Sequence, residues 1–170
     1  KLNQQIREGN LHEIVTAAEA AYSEDVENAA NMILERKNEV RVVFIAGPSS
    51  SGKTTTTIKI GERLARQGFK LITLNVDHYF FDLAKHPKDE FGDYDFETPQ
   101  ALNMPLINQN LSDLFAGKEV RIPYYDFKTG TSIPEHTPMR LNKNEIILID
   151  SLHGLYPKMT EDIPAEWKFK

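Results

Sequence analysis

Eight consecutive residues, Gly47-Pro48-Ser49-Ser50-Ser51-Gly52-Lys53-Thr54, constrain this chain more than anything else in it. A β-branched apolar run over residues 40–46 leads into them. A helix-like pattern over 55–67 leads out, with Ile58, Ile60, Leu64 and Ala65 as apolar members and Gly68 as its stop. Gly-x-x-x-x-Gly-Lys-Thr between a strand and a helix is the pattern of a phosphate cradle. Gly47 and Gly52 let the backbone curl tightly and approach phosphate. The loop, from Gly47 through Ser49, Ser50 and Ser51 to Thr54 and Thr55, offers amides to the anion, and the helix adds its positive end. Lys53 neutralises the outer phosphates, and the Thr54 hydroxyl can ligate Mg²⁺. The expected nucleotide is ATP.

The hydrophobic patterning around this loop predicts an α/β domain with a mainly parallel sheet. Residues 71–76 read as a second strand, so strand, helix and strand follow one another as a right-handed βαβ unit. Residues 145–149 read as a third strand ending on Asp150, and Phe169 opens a fourth. Residues 82–97, polar and carrying Pro87 and Gly92, read as a long surface loop. Pro99 is placed at the start of a helix whose face is Leu102, Leu106, Ile107, Leu111, Leu114 and Phe115. Residues 120–127 and 132–140 flank Lys128-Thr129-Gly130-Thr131 as a small β-hairpin excursion. Upstream, Leu11, Ile14, Val15, Ala18, Ala21, Tyr22, Val26, Ala29, Met32 and Ile33 recur at helical spacing. Residues 1–38 are therefore taken as a helical extension or linker, and 39–170 as the nucleotide-binding domain.

Composition excludes several partners. A net charge of −5 argues against a general nucleic-acid binder. The absence of cysteine removes disulfides and thiolate-held zinc. The five histidines (His12, His78, His86, His136, His153) include no pair spaced for zinc on one helix. No apolar run approaches the roughly 18 residues of a membrane span, and no signal peptide opens the chain. The expected location is the cytoplasm. The chain begins at Lys1 and ends inside a strand-like run, so a piece of a longer protein is expected.

Two acids end predicted strands. In open α/β sheets the carboxyl ends of strands converge on the ligand crevice. Asp150 is thereby placed to bind Mg²⁺ or its waters. Asp77, in Leu74-Asn75-Val76-Asp77-His78-Tyr79-Phe80, is placed to take a proton from an attacking hydroxyl. Either acid could instead cap a turn. His78 and His153 follow these acids and are candidates for the same pocket.

The marks of other nucleotide-binding branches are missing: there is no Asn-Lys-x-Asp after a late strand and no Leu-Ser-Gly-Gly signature. The stretches Gly-Pro-Ser-Ser-Ser-Gly-Lys-Thr-Thr at 47–55, Asp77-His78-Tyr79-Phe80, Tyr94-Asp95-Phe96-Glu97-Thr98-Pro99, Ile122-Pro123-Tyr124-Tyr125-Asp126-Phe127 and Asp150-Ser151-Leu152-His153-Gly154-Leu155 together resemble the uridine kinase and phosphoribulokinase family. Within it, the helix before the kinase, the Lys-Thr-Gly turn and the His-Gly-Leu-x-Pro stretch resemble bacterial nucleoside kinases fused behind threonyl-tRNA-synthetase-like modules.

The resemblance implies a P-loop NTPase fold and transfer of the ATP γ-phosphoryl group to a hydroxyl, with the 5′-hydroxyl of uridine, cytidine or a related nucleoside as acceptor. It assigns Asp77 and Lys53 as catalytic and places Thr54, Asp150 and Asp77 around Mg²⁺. Phe80, Glu97 and Tyr125 would line the acceptor site. It implies a small-molecule partner and a fused upstream domain, and it is compatible with a homo-oligomer. A lid segment with phosphate-clamping arginines, which the family carries beyond its last strand here, is absent before Lys170. The family's base-reading histidine falls on Gly130, its ribose-holding Asp on Glu97 and a Tyr on Phe80. Weak discrimination between pyrimidines is the expectation, with Gly130→His as a change that restores recognition. The rival from another class is a regulatory module that senses ATP for a fused partner domain.

Overall fold

The structure, a computed structural model, describes residues 2–7, 9–48 and 50–170. In chain order its main elements are α1 (Leu2–Arg7), α2 (Leu11–Glu35), β1 (Val42–Ile45), α3 (Lys53–Arg66), β2 (Lys70–Thr73), α4 (Met104–Phe115), β3 (Val120–Asp126), β4 (Thr131–Met139), β5 (Glu145–Asp150) and β6 (Lys168–Phe169).

Parallel strands that are buried on both faces should lack polar alternation, and β1 and β5 do. They form the middle of a four-stranded sheet of order β2-β5-β1-β6 in which every pairing is parallel. Successive side chains go to opposite layers. Val42, Phe44, Ile147 and Ile149 face one core with Leu111 and Leu114 of α4, Met159 and Ile163. Val43, Ile146 and Leu148 face the other with Ile60 and Leu64 of α3 and Val26 and Ile33 of α2. The predicted fourth strand exists as β6, beside β1.

The helix α2 is one continuous run, but only its second half is core. Val26, Ala30 and Ile33 are buried, whereas Leu11, Val15 and Met32, counted in the predicted stripe, are exposed. Tyr22 Oη lies 2.9 Å from Thr56 Oγ1, and Arg63 pairs with Glu27, tying α2 to α3. On α3 the expected face is narrower than its sequence suggests. Ile60 and Leu64 are buried, but Ile58 is 56% exposed and Ala65 is also at the surface. The reason is spacing: 60 and 64 lie one turn apart on the sheet side, and 58 and 65 point away from it.

Two boundaries also differ. Pro99 does not begin the helix; it opens a 3-10 turn, Pro99–Ala101, and α4 starts at Met104, where Asn103 Oδ1 accepts from Leu106 N at 3.2 Å. An Asn cap outcompetes the proline as a helix start because it satisfies a leading amide. The second strand ends at Thr73, and Val76 belongs to a 3-10 turn, Val76–Tyr79. The hairpin is present as β3 and β4, antiparallel, with an irregularity between Ile122 and Tyr124.

Gly130 ends the hairpin turn with φ +67°. A Cβ there would sit 2.8 Å from Leu83 Cβ, and the Gly130 carbonyl accepts from Leu83 N at 2.8 Å. This packing argues against the expected Gly130→His gain. A branching side chain meets both a left-handed backbone and a filled space. We expect Gly130→His to lower the thermal midpoint and to give no gain in acceptor affinity, both measured on purified protein. A stable variant with tighter uridine binding would contradict this.

Candidate active site

The cradle forms because β1 ends where β5 ends. Ile45 is in register with Asp150, so the loop leaving β1 starts beside that carboxylate. Ser50 at φ +60° and Gly52 at φ +88° are left-handed on either side of Ser51. Such reversals bend the backbone into an anion-binding concavity. Gly47 borders the same space, and a Cβ on it would come within 2.9 Å of Ser51 Oγ. Ser49 lies outside the described residues. Gly52 caps α3 without any side-chain hydrogen bond. The leading amides of α3 thus have no side-chain cap to satisfy them and are available to phosphate oxygens. Thr54 and Thr55, on the first turn of α3, are exposed and are not among the side chains lining the cleft beside the loop.

That cleft has a volume of about 480 Å³, and Gly47, Lys53, Asp77, Glu97 and Asp150 are part of its wall. Lys53 Nζ donates to the Pro48 carbonyl at 2.8 Å and stands 4.0 Å from Asp150 Oδ1. Asp150 Oδ1 is buried and has no hydrogen-bond partner among the described residues. An orphaned, buried carboxylate oxygen beside a phosphate loop fits a divalent cation or its water shell. Among the described residues no group of three or more His, Cys, Asp or Glu is assembled for a metal. This donor set suits Mg²⁺, which takes one or two carboxylates plus phosphate oxygens rather than an all-protein cage.

Asp77 is positioned by its neighbour. Asn75 Oδ1 accepts from Asp77 N at 3.0 Å, which caps the 3-10 turn and points it off the end of β2. Partial withdrawal from water in the cleft raises the Asp77 carboxyl above its ordinary value. His78 opposes this, the Asp150 charge adds to it, and His153 opposes it more weakly. Sequence reasoning did not single out Thr73, Asn75 and Ser151, which line the same cleft. Their only signal was adjacency to strand ends.

The predicted acceptor residues separate. Glu97 lines the cleft. Phe80 and Tyr125 do not. Both are buried, Tyr125 to 1% exposure, in an aromatic cluster beside it. His78 also turns from the cleft: its Nδ1 accepts from Tyr125 N at 3.4 Å and its ring lies 5.0 Å from that of Tyr124.

A sequence model of the phosphoribulokinase / uridine kinase family matches residues 42–164, from β1 through the segment after Asp150. This chain belongs to that family. Uridine kinase of Staphylococcus aureus (strain JH9) is 30% identical over 122 residues, covering 72% of this chain and 57% of that protein. Uridine-cytidine kinase B of Dictyostelium discoideum is 30% identical over 115 residues, 68% of this chain and 46% of that protein. Among solved structures, one described as a possible uridine kinase from Bacillus stearothermophilus superimposes with a TM-score of 0.54 at 19% identity, covering 84% of this chain and 76% of that one. That likeness speaks for the fold. The chain spans between 25% and 57% of the length of these and similar curated members of the phosphoribulokinase / uridine kinase family. Among the described residues no helix is long and apolar enough to cross a membrane.

Proposed function

We propose that this family member transfers the γ-phosphoryl group of ATP to a hydroxyl of a nucleoside, within a longer protein that supplies further phosphate-clamping groups. The observation that carries the reading is the convergence of Lys53, Asp77, Glu97 and Asp150 on one cleft beside the loop. Lys53 and the amides at the start of α3 hold the phosphates of the donor. Asp150, with Thr54 and the edge of Asp77, would hold Mg²⁺. When bound, the ion neutralises charge shared by the β- and γ-phosphates. Asp77 takes the proton of the acceptor hydroxyl as that oxygen attacks phosphorus in line with the departing ADP oxygen. A carboxyl raised by its surroundings is a stronger base than a free one, which suits this role. Glu97 faces the sugar hydroxyls. An upstream module of the synthetase-like kind belongs to the same proposal. The ATP-sensing alternative draws no support from the site.

The test is ATP consumption by the full-length protein against a panel of nucleosides and sugar phosphates. A pyrimidine nucleoside should stimulate ADP release at least tenfold above the water background. Stimulation by a sugar phosphate alone would move the acceptor to the other branch of the family, and stimulation by none would sink the reading.

A further inference from the structure

Five rings close on one another beside the cleft: Phe80, His86, Phe96, Tyr125 and Phe127. His86 is 4.7 Å from Phe96, 5.3 Å from Phe80 and 6.0 Å from Tyr125, nearly parallel to the last at 24°. Phe80, His86 and Tyr125 form a buried floor. Phe96 and Phe127, 6.2 Å apart, form an exposed rim, the latter 59% exposed. The cluster is contiguous with the cleft along two segments. Phe96 precedes the cleft residue Glu97. Phe80 ends the 3-10 turn that carries Asp77, and three residues of such a turn advance about 6 Å.

Two polar atoms in this floor have no hydrogen-bond partner among the described residues: His86 Nδ1 and Tyr125 Oη. His86 is 6% exposed and Tyr125 1%. Leaving such atoms unpaired is costly, and aromatic neighbours offer little relief. The hydrogen bond that His86 does make defines the chemistry of the orphan. Its Nε2 lies 2.8 Å from the Phe81 carbonyl oxygen, which can only accept. Nε2 therefore carries the proton, and Nδ1 of the neutral ring presents a lone pair. Leu83 fills the space beside Gly130 and opens the 3-10 turn, Leu83–Lys85, that ends on His86. One short turn thus both closes off the Gly130 position and brings a different imidazole against Tyr125.

We infer that His86 is the specificity-determining residue of the acceptor site, its Nδ1 accepting an N–H from the edge of a planar heteroaromatic ring held by the Phe96 and Phe127 rim. This rests on the nucleoside reading above and names the base edge it selects: one with an N–H donor. Admission of the ring needs rotation of the two exposed rim side chains, a fast motion that leaves the backbone in place. Tyr125 Oη, free to donate or accept, completes the contact beside it.

The experiment is calorimetric binding of uridine, which has an N3–H, and of 3-methyluridine, which lacks it, to the full-length protein. The variants are His86→Phe, His86→Asn and Tyr125→Phe. Asn places an acceptor oxygen where Nδ1 stands; Phe keeps a ring and removes the acceptor. Wild type should bind uridine at least about 30-fold tighter than 3-methyluridine, since the methylated base leaves a buried acceptor unpaired. His86→Phe should weaken uridine binding about 10–100-fold and leave the methylated base nearly unchanged, while His86→Asn should recover most of the preference. Should the His86 variants not fold, Tyr125→Phe still decides. It should keep or raise the thermal midpoint, having no protein partner to lose, while weakening uridine about tenfold. Equal loss of both ligands, retained preference in His86→Phe, a lowered midpoint with unchanged binding in Tyr125→Phe, or no uridine binding by wild type would each overturn the inference. Selective binding without phosphoryl transfer would instead sink the kinase reading and leave the role of His86 standing.

Discussion

Asp77→Asn in the full-length protein is expected to lower kcat by about 10²–10⁴, roughly 3–5 kcal/mol of transition-state stabilisation. Asparagine keeps the size and a hydrogen-bonding oxygen but cannot take a proton. The residue lines the same cleft as Lys53 and Gly47, while the Lys53 ammonium donates to the Pro48 carbonyl rather than to Asp77. ATP affinity measured without Mg²⁺ should therefore stay within about threefold, because the substitution removes no bond that holds the loop or Lys53. The same variant has a signature in stability. The Asp77 carboxyl is raised in the folded state, chiefly by withdrawal from water. A raised acid penalises folding when ionised, so the penalty is complete above its folded value and vanishes below its unfolded one. Without Mg²⁺, Asp77→Asn should raise the thermal midpoint near pH 7, and the gain should fade as pH drops toward 3. Unchanged kcat would return Asp77 to a turn-capping role. A loss of stability at neutral pH would show that its carboxylate is held by groups the cleft geometry does not include.

Ile147→Ala should cost about 2–5 kcal/mol of unfolding free energy, as truncation of a fully buried aliphatic chain does. Ile147 has no exposed surface and lies mid-strand in β5, between β1 and β2, on the face that receives α4. Paired strand residues and Leu111 and Leu114 of α4 make up much of that layer, which limits how far the cavity can collapse. The damage should reach the site, because Asp150 ends the same strand and Lys53 leans on it. Denaturant titration gives the first quantity, and ATP binding below the unfolding transition gives the second. A cost under about 1 kcal/mol would mean the layer closes around the gap.

The phosphate loop, the parallel sheet and the strand-end Asp150 were legible in the sequence because each depends on local pattern, whereas Asp77 falls in a 3-10 turn four residues past the end of β2. A glycine-rich turn between a β-branched run and a helix has few other uses. A strand buried on both faces must be apolar throughout, as residues 146–149 are. The family resemblance followed from short stretches whose residue order is unbroken. Boundaries were less legible: the pull of Pro99 toward a helix start lost to the Asn103 cap, and the apolar repeat of α2 ran on past the point where a partner exists. Only the tertiary structure could place what depends on distant segments meeting. Glu97 came to the cleft and Tyr125 went beneath it, although both stand in stretches that resemble one acceptor site. His86 had no sequence signal, since a lone histidine in a polar loop predicts nothing. Its role comes from a 3-10 turn that packs Leu83 on Gly130 and turns the next imidazole into an aromatic floor. Local propensity is written along the chain, whereas the unpaired atom and the ring that surrounds it exist only after residues some 40 apart have been brought together by burial.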